Sequence, residues 1–518
     1  MDNISGADRL IDNELDLATQ YLSFFSKTHC FGLVKNRGYP IRQVLFSVLI
    51  WPLLGVPSLH FFCGKRLSAF IDGGKDVLYD FLKRQDINWR GFRLYVALQL
   101  IRQHNLGSEP IRAAVVDDTI KHRRGTKVSA VSSHFDHTLG KHVMGQQMLE
   151  MGLATPKGYV PLDSRIYVSE KRGQDGKTQF RDKRSSVARD CRVAKDKNKN
   201  EMFRDMLKRS IRKGIAFTHV MGDSWFGNKE NIKSVISAKL TGIFRMKKGN
   251  LKYRINGKQY TATEAHLLLK RRMKRLNGSP YRTCTADVQM NLSTKPEQEE
   301  WVQVRLLFSS PVNQYKDNWA VFLSTDVQLD AEKILQLYSL RWSIEVYFKE
   351  IKQHLGFLKE QSGDYAVHYA SIHLCAIRYL LIVDSMLRSG EAFGKMRNHI
   401  SGKLEMLTFE RLLWELFKAL IGGALDSLLQ TIPQKTILLI KYKINETVCN
   451  FLNKALQLDE DYLFAEQKAE AIGILNGVCQ QSCPFFSRSF TQFLLFRAYL
   501  FRRVQPYLID RTPISDFA

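Results

Sequence analysis

The chain has 518 residues, 44% of them hydrophobic, with 77 Lys and Arg against 51 Asp and Glu and a formal charge of +26. That length argues against a single domain, and the apolar share is enough for a sizeable core. A protein this basic is expected to meet a polyanion. Counterion release puts nucleic acid first, ahead of a basic protein with no such partner.

Eight cysteines (Cys30, Cys63, Cys191, Cys284, Cys375, Cys449, Cys479 and Cys483) are scattered along the chain. With an acidic, polar start after Met1, they fit free thiols in a reducing cytoplasm and no leader. Cys479 and Cys483 lack a second pair of ligands nearby, so no zinc site is expected. The most apolar stretch, Val44 to Phe62, contains Pro52, Pro57 and His60 and reads as a buried helical hairpin rather than a membrane span.

Up to about residue 105 the apolar spacing is helical. Asp76 to Arg84 and Trp89 to His104 form a pair that is either a DNA-binding helix-turn-helix or simply packed helices. Ile111 to Val116 reads as a buried strand running into Asp117, Asp118 and Thr119. Val143 to Leu153 and Tyr159 to Val168 follow as two strands around a turn at Pro156 and Gly158. Residues 169–200, dense in Lys, Arg, Asp and Gly, are a solvated loop or a DNA-facing insertion. Glu201 to Arg212 is predicted helical, and Ile215 to Met221 a strand ending at Gly222 and Asp223. Residues 240–325 alternate and carry turn residues, so they are expected to be β-rich. Asp330 is the expected N-cap of a long helix. From about 364 the chain is helical again, with His368 to Arg388 read as core because it carries Arg378 and Asp384. The class is mixed α/β, and no internal repeat is visible.

The segment Leu337 to Phe357 carries the sharpest pattern. Leu337, Leu340, Ile344, Phe348, Ile351 and Leu355 form one apolar stripe that must be buried. Tyr338, Arg341, Glu345 and Lys352 fall on an adjoining arc of about 60°, with Lys349 beside them. Glu345 is the one acid on that face, and Glu350 points away. A carboxylate ringed by Arg, Lys and Tyr suits a metal ligand among phosphate donors. A plain surface pair between Arg341 and Glu345 is the alternative.

The pattern Tyr338-x2-Arg341-x3-Glu345-x6-Lys352 resembles the YREK signature of the insertion-sequence-4 group of bacterial DDE transposases, in all four residues and all three spacings. Val116-Asp117-Asp118-Thr119 is similar to the first aspartate block of that group, and Met221-Gly222-Asp223-Ser224-Trp225-Phe226 to the second. The resemblance covers roughly residues 105–360. It implies Asp117, Asp223 and Glu345 as catalytic metal ligands, and its Asp-x-Thr spacing favours Asp117 over Asp118. It implies two Mg²⁺ ions, with Mn²⁺ able to substitute. The implied fold is an RNase H-like α/β core interrupted by a β-rich insertion, for which the 122-position separation of Asp223 and Glu345 leaves room.

The expected layout is a helical N-terminal domain at 1–105, which binds terminal repeats if it binds DNA, and a core at 106–239 and 326–360. The insertion spans 240–325, and a helical C-terminal domain at 361–518 is assigned to dimerisation. The implied reaction is cleavage at the terminal inverted repeats of a mobile element, followed by joining of the freed 3′-OH to target DNA. The expected partners are double-stranded DNA and a second copy of the chain, with no membrane, in a bacterial, nucleoid-associated cytoplasmic setting. Tyr338, Arg341, Lys349 and Lys352 are expected to face DNA. Arg123, Arg124 and Lys127, and Arg245, Lys247 and Lys248, either track phosphates or are exposed and unengaged. Trp319 either stacks on a displaced base or is a buried strand residue. The competing readings are a catalytically inactive DNA-binding relative and an RNase H-like host nuclease.

Overall fold

A computed structural model describes residues 27–34, 38–71, 73–125, 127–136, 139–169, 179–276, 278–294, 297, 299–313, 318–427 and 433–457. The part of the 169–200 loop from 170 to 178, and Cys479 and Cys483, lie outside these residues. The N-terminal helices are α1 (Ile41–Ile50), α2 (Leu59–Lys65), α3 (Asp76–Leu82) and α4 (Trp89–Gln103). Ser58 and Asn88 cap α2 and α4 by accepting amides three residues on. The apolar hairpin expected at Val44 to Phe62 is present: the chain bends by 103° between Gln43–Leu54 and Leu59–Lys65.

β1 (Ala113–His122) opens with four fully buried apolar residues, Ala113 to Val116, as a strand covered on both faces requires. β2 (Ser132–Asp136), β3 (Lys141–Thr155) and β4 (Gly158–Tyr167) form an antiparallel meander, in which β2 and β4 pair with successive parts of β3. Next come α5 (Ser186–Asp196), α6 (Lys199–Arg212), β5 (His219–Gly222), α7 (Lys229–Ser237) and β6 (Thr241–Met246). β7 (Lys252–Ile255) and β8 (Lys258–Thr261) make a hairpin, followed by α8 (Ala262–Leu269), β9 (Lys274–Arg275), β10 (Tyr281–Asn291), β11 (Trp301–Pro311) and β12 (Ala320–Ser324). Then follow α9 (Ala331–Ser339), α10 (Trp342–Gln353), α11 (Tyr365–Ser389), α12 (Phe393–Ser427) and α13 (Gln434–Gln457).

All described strands join one twelve-stranded mixed sheet in the order β2-β3-β1-β5-β6-β12-β11-β10-β7-β8, with β4 also on β3 and β9 on β10. Its centre, β1-β5-β6, is parallel, and the remaining pairings are antiparallel. The β-rich segment at 240–325 therefore does not hang from the core as a separate sheet: β6 pairs directly with β5, and β12 with β6. α11 is long and apolar enough to cross a membrane, but 94% of its apolar window is buried, against α4 and β4 among others. It is a core helix. Residues 23–412 form one compact unit. The end of α12 and α13 belong to a second.

Buried charges tie the N-terminal helices to the sheet. Arg93 of α4, fully buried, donates to Glu150 of β3 and Ser164 of β4, and Glu150 also accepts from Ser164 at 2.5 Å. Arg90 forks onto Asp163 at 2.5–2.6 Å. Arg378 of α11 donates to the Val48, Leu49 and Leu355 carbonyls, joining the end of α1 to the chain just beyond α10. Removing one member of a buried pair strands the other charge, which costs roughly 3–5 kcal/mol. Arg93→Leu is expected to lower unfolding free energy by about that amount in denaturant titration, and Arg93→Leu with Glu150→Leu to recover most of it. A single variant as stable as the parent would show that the pair carries no such cost.

Candidate active site

β1 and β5 run side by side in one register that ends with Val116 opposite Gly222. The next residue on each chain is an acid, Asp117 and Asp223, so two carboxylates emerge where the strands part. The close pairing needs a glycine. A Cβ at Gly222 would lie 2.9 Å from Phe226 Cβ and 3.3 Å from Val116 Cγ1. Asp223 Oδ1 accepts the Trp225 amide at 2.9 Å, and its carbonyl accepts the Phe226 amide, a local turn that fixes the carboxylate. β1 itself does not end at Asp117, as its sequence implies. It continues to His122 because β3 stays paired with it to His122 opposite Gly145. What ends is the parallel partner.

The helix expected to run unbroken from Asp330 through Phe357 is two helices, α9 and α10, with a tight joint at Leu340 and Arg341. Two serines take main-chain carbonyls at the joint. Ser339 Oγ donates to the Gln336 carbonyl at 2.6 Å and Ser343 Oγ to the Leu340 carbonyl at 2.7 Å. The amides that would use those carbonyls in an α-helix, Leu340 and Ile344, turn instead to Leu337 and Arg341. The predicted stripe is still buried at Leu337, Ile344, Phe348, Ile351 and Leu355, while Leu340, at the joint, is half-buried.

From the joint Arg341 reaches across to the sheet. One terminal nitrogen donates to Asp117 Oδ2 at 2.7 Å, and the other to Glu345 Oε1. The intrahelical pair with Glu345 exists, but the same guanidinium binds a carboxylate 224 residues away in sequence. Tyr338 packs edge-on against Phe322 of β12, with ring centroids 4.8 Å apart, and its hydroxyl donates to the Gly222 carbonyl at 3.4 Å. Burial, the larger effect, pushes that hydroxyl up to about 12, against the lowering influence of Arg341. Arg341 Nε is buried without a partner among the described residues.

Asp117 is the strained charge of the site. Burial pushes it up to about 7; the Arg341 charge opposes this, and Asp223 and Asp118 add to it. Asp118, pointing the other way along β1, accepts from Gln147 at 2.6 Å and Lys199 at 2.7 Å. Lys352 is half-buried and its ammonium is pulled down by burial, while Asp136 and Asp118 favour its charge; it belongs to the Asp118 side. Lys349 is exposed, and Glu350, set apart as expected, pairs with Arg397 of α12.

The remaining basic candidates separate. Arg123 spends its donors on Gln146 Oε1 and the Leu358 carbonyl, both at 2.9 Å, and so holds the fold together rather than facing solvent. Arg124, Lys127, Arg245, Lys247 and Lys248 are exposed. Trp319 is half-buried ahead of β12, not sunk in a strand. It stacks on His266 of α8 at 4.1 Å and 7°, with Lys248 Nζ 4.1 Å from its ring centroid. Sequence reasoning missed Lys199 and Gln147, the partners of Asp118, and His266. No spacing rule connects residues brought together from β3, α6 and α8.

Two carboxylates, Asp117 and Glu345, thus meet at Arg341, and the charge of a third, Asp223, acts on Asp117; an all-carboxylate set suits a hard divalent cation. A buried acid raised to about 7 despite a neighbouring arginine is short of positive charge, which such a cation would supply. The guanidinium stands between Asp117 and Glu345, and no three potential ligands among the described residues surround one point.

Residues 65–307 match the family described as DDE superfamily endonuclease. The matched stretch contains Asp117 and Asp223 and ends before Glu345. It supports a DDE-type transposase or endonuclease family, and with it nuclease-type chemistry of the kind that typically uses divalent metals. Among solved structures, the chain is similar to the NurA nuclease from Sulfolobus solfataricus at 10% identity and a TM-score of 0.21, over 57% of this chain and 91% of that one. No curated protein matches.

The raised Asp117 makes stability depend on pH. Its folded value, about 7, lies above the ordinary 3.8, so the folded protein holds a proton there that the unfolded chain has released. Stability from this position falls as pH rises between about 4 and 7, and the cost is complete above that window. Asp117→Asn is expected to melt at a higher temperature than the parent above pH ~7, with the gain vanishing towards pH ~4, in thermal melts across that range. A pH-independent difference would contradict the shift.

Proposed function

We propose that the chain is a DNA transposase of the insertion-sequence-4 group, cutting at the terminal inverted repeats of its element and joining the freed 3′-OH ends to target DNA. The observation that carries this reading is the bridge from Arg341 to both Asp117 and Glu345, because it draws the helix acid to a strand acid and puts between them a guanidinium suited to phosphate. Asp117, Asp223 and Glu345 would hold two divalent cations, Mg²⁺ or in its place Mn²⁺. Bound there, such ions stabilise charge on the attacking and leaving oxygens of a phosphodiester.

The chain's own groups divide the remaining work. Arg341 counters the acids until substrate arrives, and its unpartnered Nε is a donor for a phosphate oxygen. Tyr338 braces the Gly222 carbonyl and so the strand end that presents Asp223. Lys349 and Lys352, with the exposed Arg124, Lys127, Arg245, Lys247 and Lys248, serve backbone contacts. In cleavage, water attacks phosphorus, the P–O3′ bond breaks, and the proton released from water balances the one taken up by the leaving 3′ oxygen. In joining, that 3′-OH attacks a target phosphodiester in the same way. A homodimer bridging two ends completes the proposal, in a bacterial cytoplasm.

The direct test is incubation of the full chain with a DNA fragment bearing the terminal repeats, with Mg²⁺ and then with EDTA. Cutting that EDTA abolishes supports the enzyme. Binding without cutting supports an inactive relative, and cutting indifferent to the repeats supports a host nuclease. Glu345→Gln is expected to keep DNA binding in a gel-shift assay while cleavage falls by several orders of magnitude. Arg341→Ala is expected to weaken binding and reduce the slope of log affinity against log salt by about one, and an unchanged slope would count against phosphate contact. Below about pH 7 an ion must displace the Asp117 proton. Mn²⁺ affinity measured by calorimetry should therefore fall roughly tenfold per pH unit there.

A further inference from the structure

The turn after Asp223 sends its two aromatic residues opposite ways. Phe226 is fully buried and anchors the turn, while Trp225 is 45% exposed. Two ammonium groups lie over the indole, Lys199 Nζ at 4.2 Å and Lys247 Nζ at 4.4 Å from the ring centroid. The Trp225 amide is bonded to the Asp223 carboxylate, so the ring is tied to an acid of the site by one hydrogen bond. Lys199, at the start of α6, also pairs with Asp118.

We propose that Trp225, flanked by Lys247 and Lys199, is a platform for one unpaired base of the strand being cut. The proposal rests on the phosphodiester-cleaving reading of the site. An exposed indole face binds a base by stacking, and a base within a duplex already has both faces covered, so only an unpaired nucleotide can use it. Lys247 is exposed on a long flexible stem and can move to a flanking phosphate as a base takes its place, while Lys199 stays buried and paired with Asp118 at the edge of the platform. Trp319 is a different case: one face is already stacked on His266, so it offers less free surface. Trp225 also lies nearer the chemistry, two residues from Asp223.

The test uses the full chain and two DNA probes of one sequence, a blunt duplex and a fork with a short unpaired arm carrying 2-aminopurine at the junction. The parent protein is expected to bind the fork more tightly and to quench the 2-aminopurine. Trp225→Ala should lose roughly 5- to 150-fold on the fork and little on the duplex. Trp225→Phe should retain most of the preference, which also shows that the turn folds. Equal affinity of the parent for both probes, or a fork preference kept by Trp225→Ala, overturns the proposal. So does Trp225→Ala leaving both affinities unchanged while Lys247→Ala weakens both equally, since that outcome means backbone contact alone. Mg²⁺-dependent cleavage of repeat DNA is scored separately. Its absence strikes the catalytic reading, whereas normal cleavage with no fork preference strikes this inference only.

Discussion

The site depends on one register. With Val116 opposite Gly222 in the parallel pair β1-β5, the first residue past the pairing is an aspartate on both strands. A slip of one residue would turn Asp117 to the other face of the sheet and bring Asp118 forward in its place. The register is held by packing as well as by backbone bonds: Gly222 leaves no room for a Cβ between Val116 and Phe226, and both strands are buried. Four residues of parallel ladder thus set where both acids leave the sheet.

Electrostatics adds a second constraint. Asp117 lies directly opposite Glu150 in the ladder with β3. Each has its own arginine from a different part of the chain. Glu150 has Arg93 from α4, and Asp117 has Arg341 from the α9–α10 joint. The inner pair is sealed and pins the N-terminal helices to the sheet. The outer pair is partly exposed.

Much of this was legible in sequence because it is local. Apolar runs located β1, β3, β4, α4 and α11, and the exact spacing from Tyr338 to Lys352 singled out the residues that surround the joint. Two kinds of feature were not legible. The joint itself depends on whether Ser339 and Ser343 take main-chain carbonyls, which the apolar period does not report. Residues matched across long separations, such as Lys199 with Asp118 or His266 with Trp319, carry no shared spacing at all. Arg123 shows the converse: a basic residue near an acid looks like a phosphate ligand until its donors are seen committed to Gln146 and Leu358.

The continuity of the sheet has a mechanical consequence. Lys247 follows directly on β6, and Trp319 directly precedes β12; both strands are laddered to each other, and β6 to β5, whose end carries Asp223. The backbone at Lys247 and at Trp319 cannot shift independently of that aspartate without breaking main-chain hydrogen bonds. The ladder is in effect a ruler that fixes the spacing of these two chain positions from Asp223.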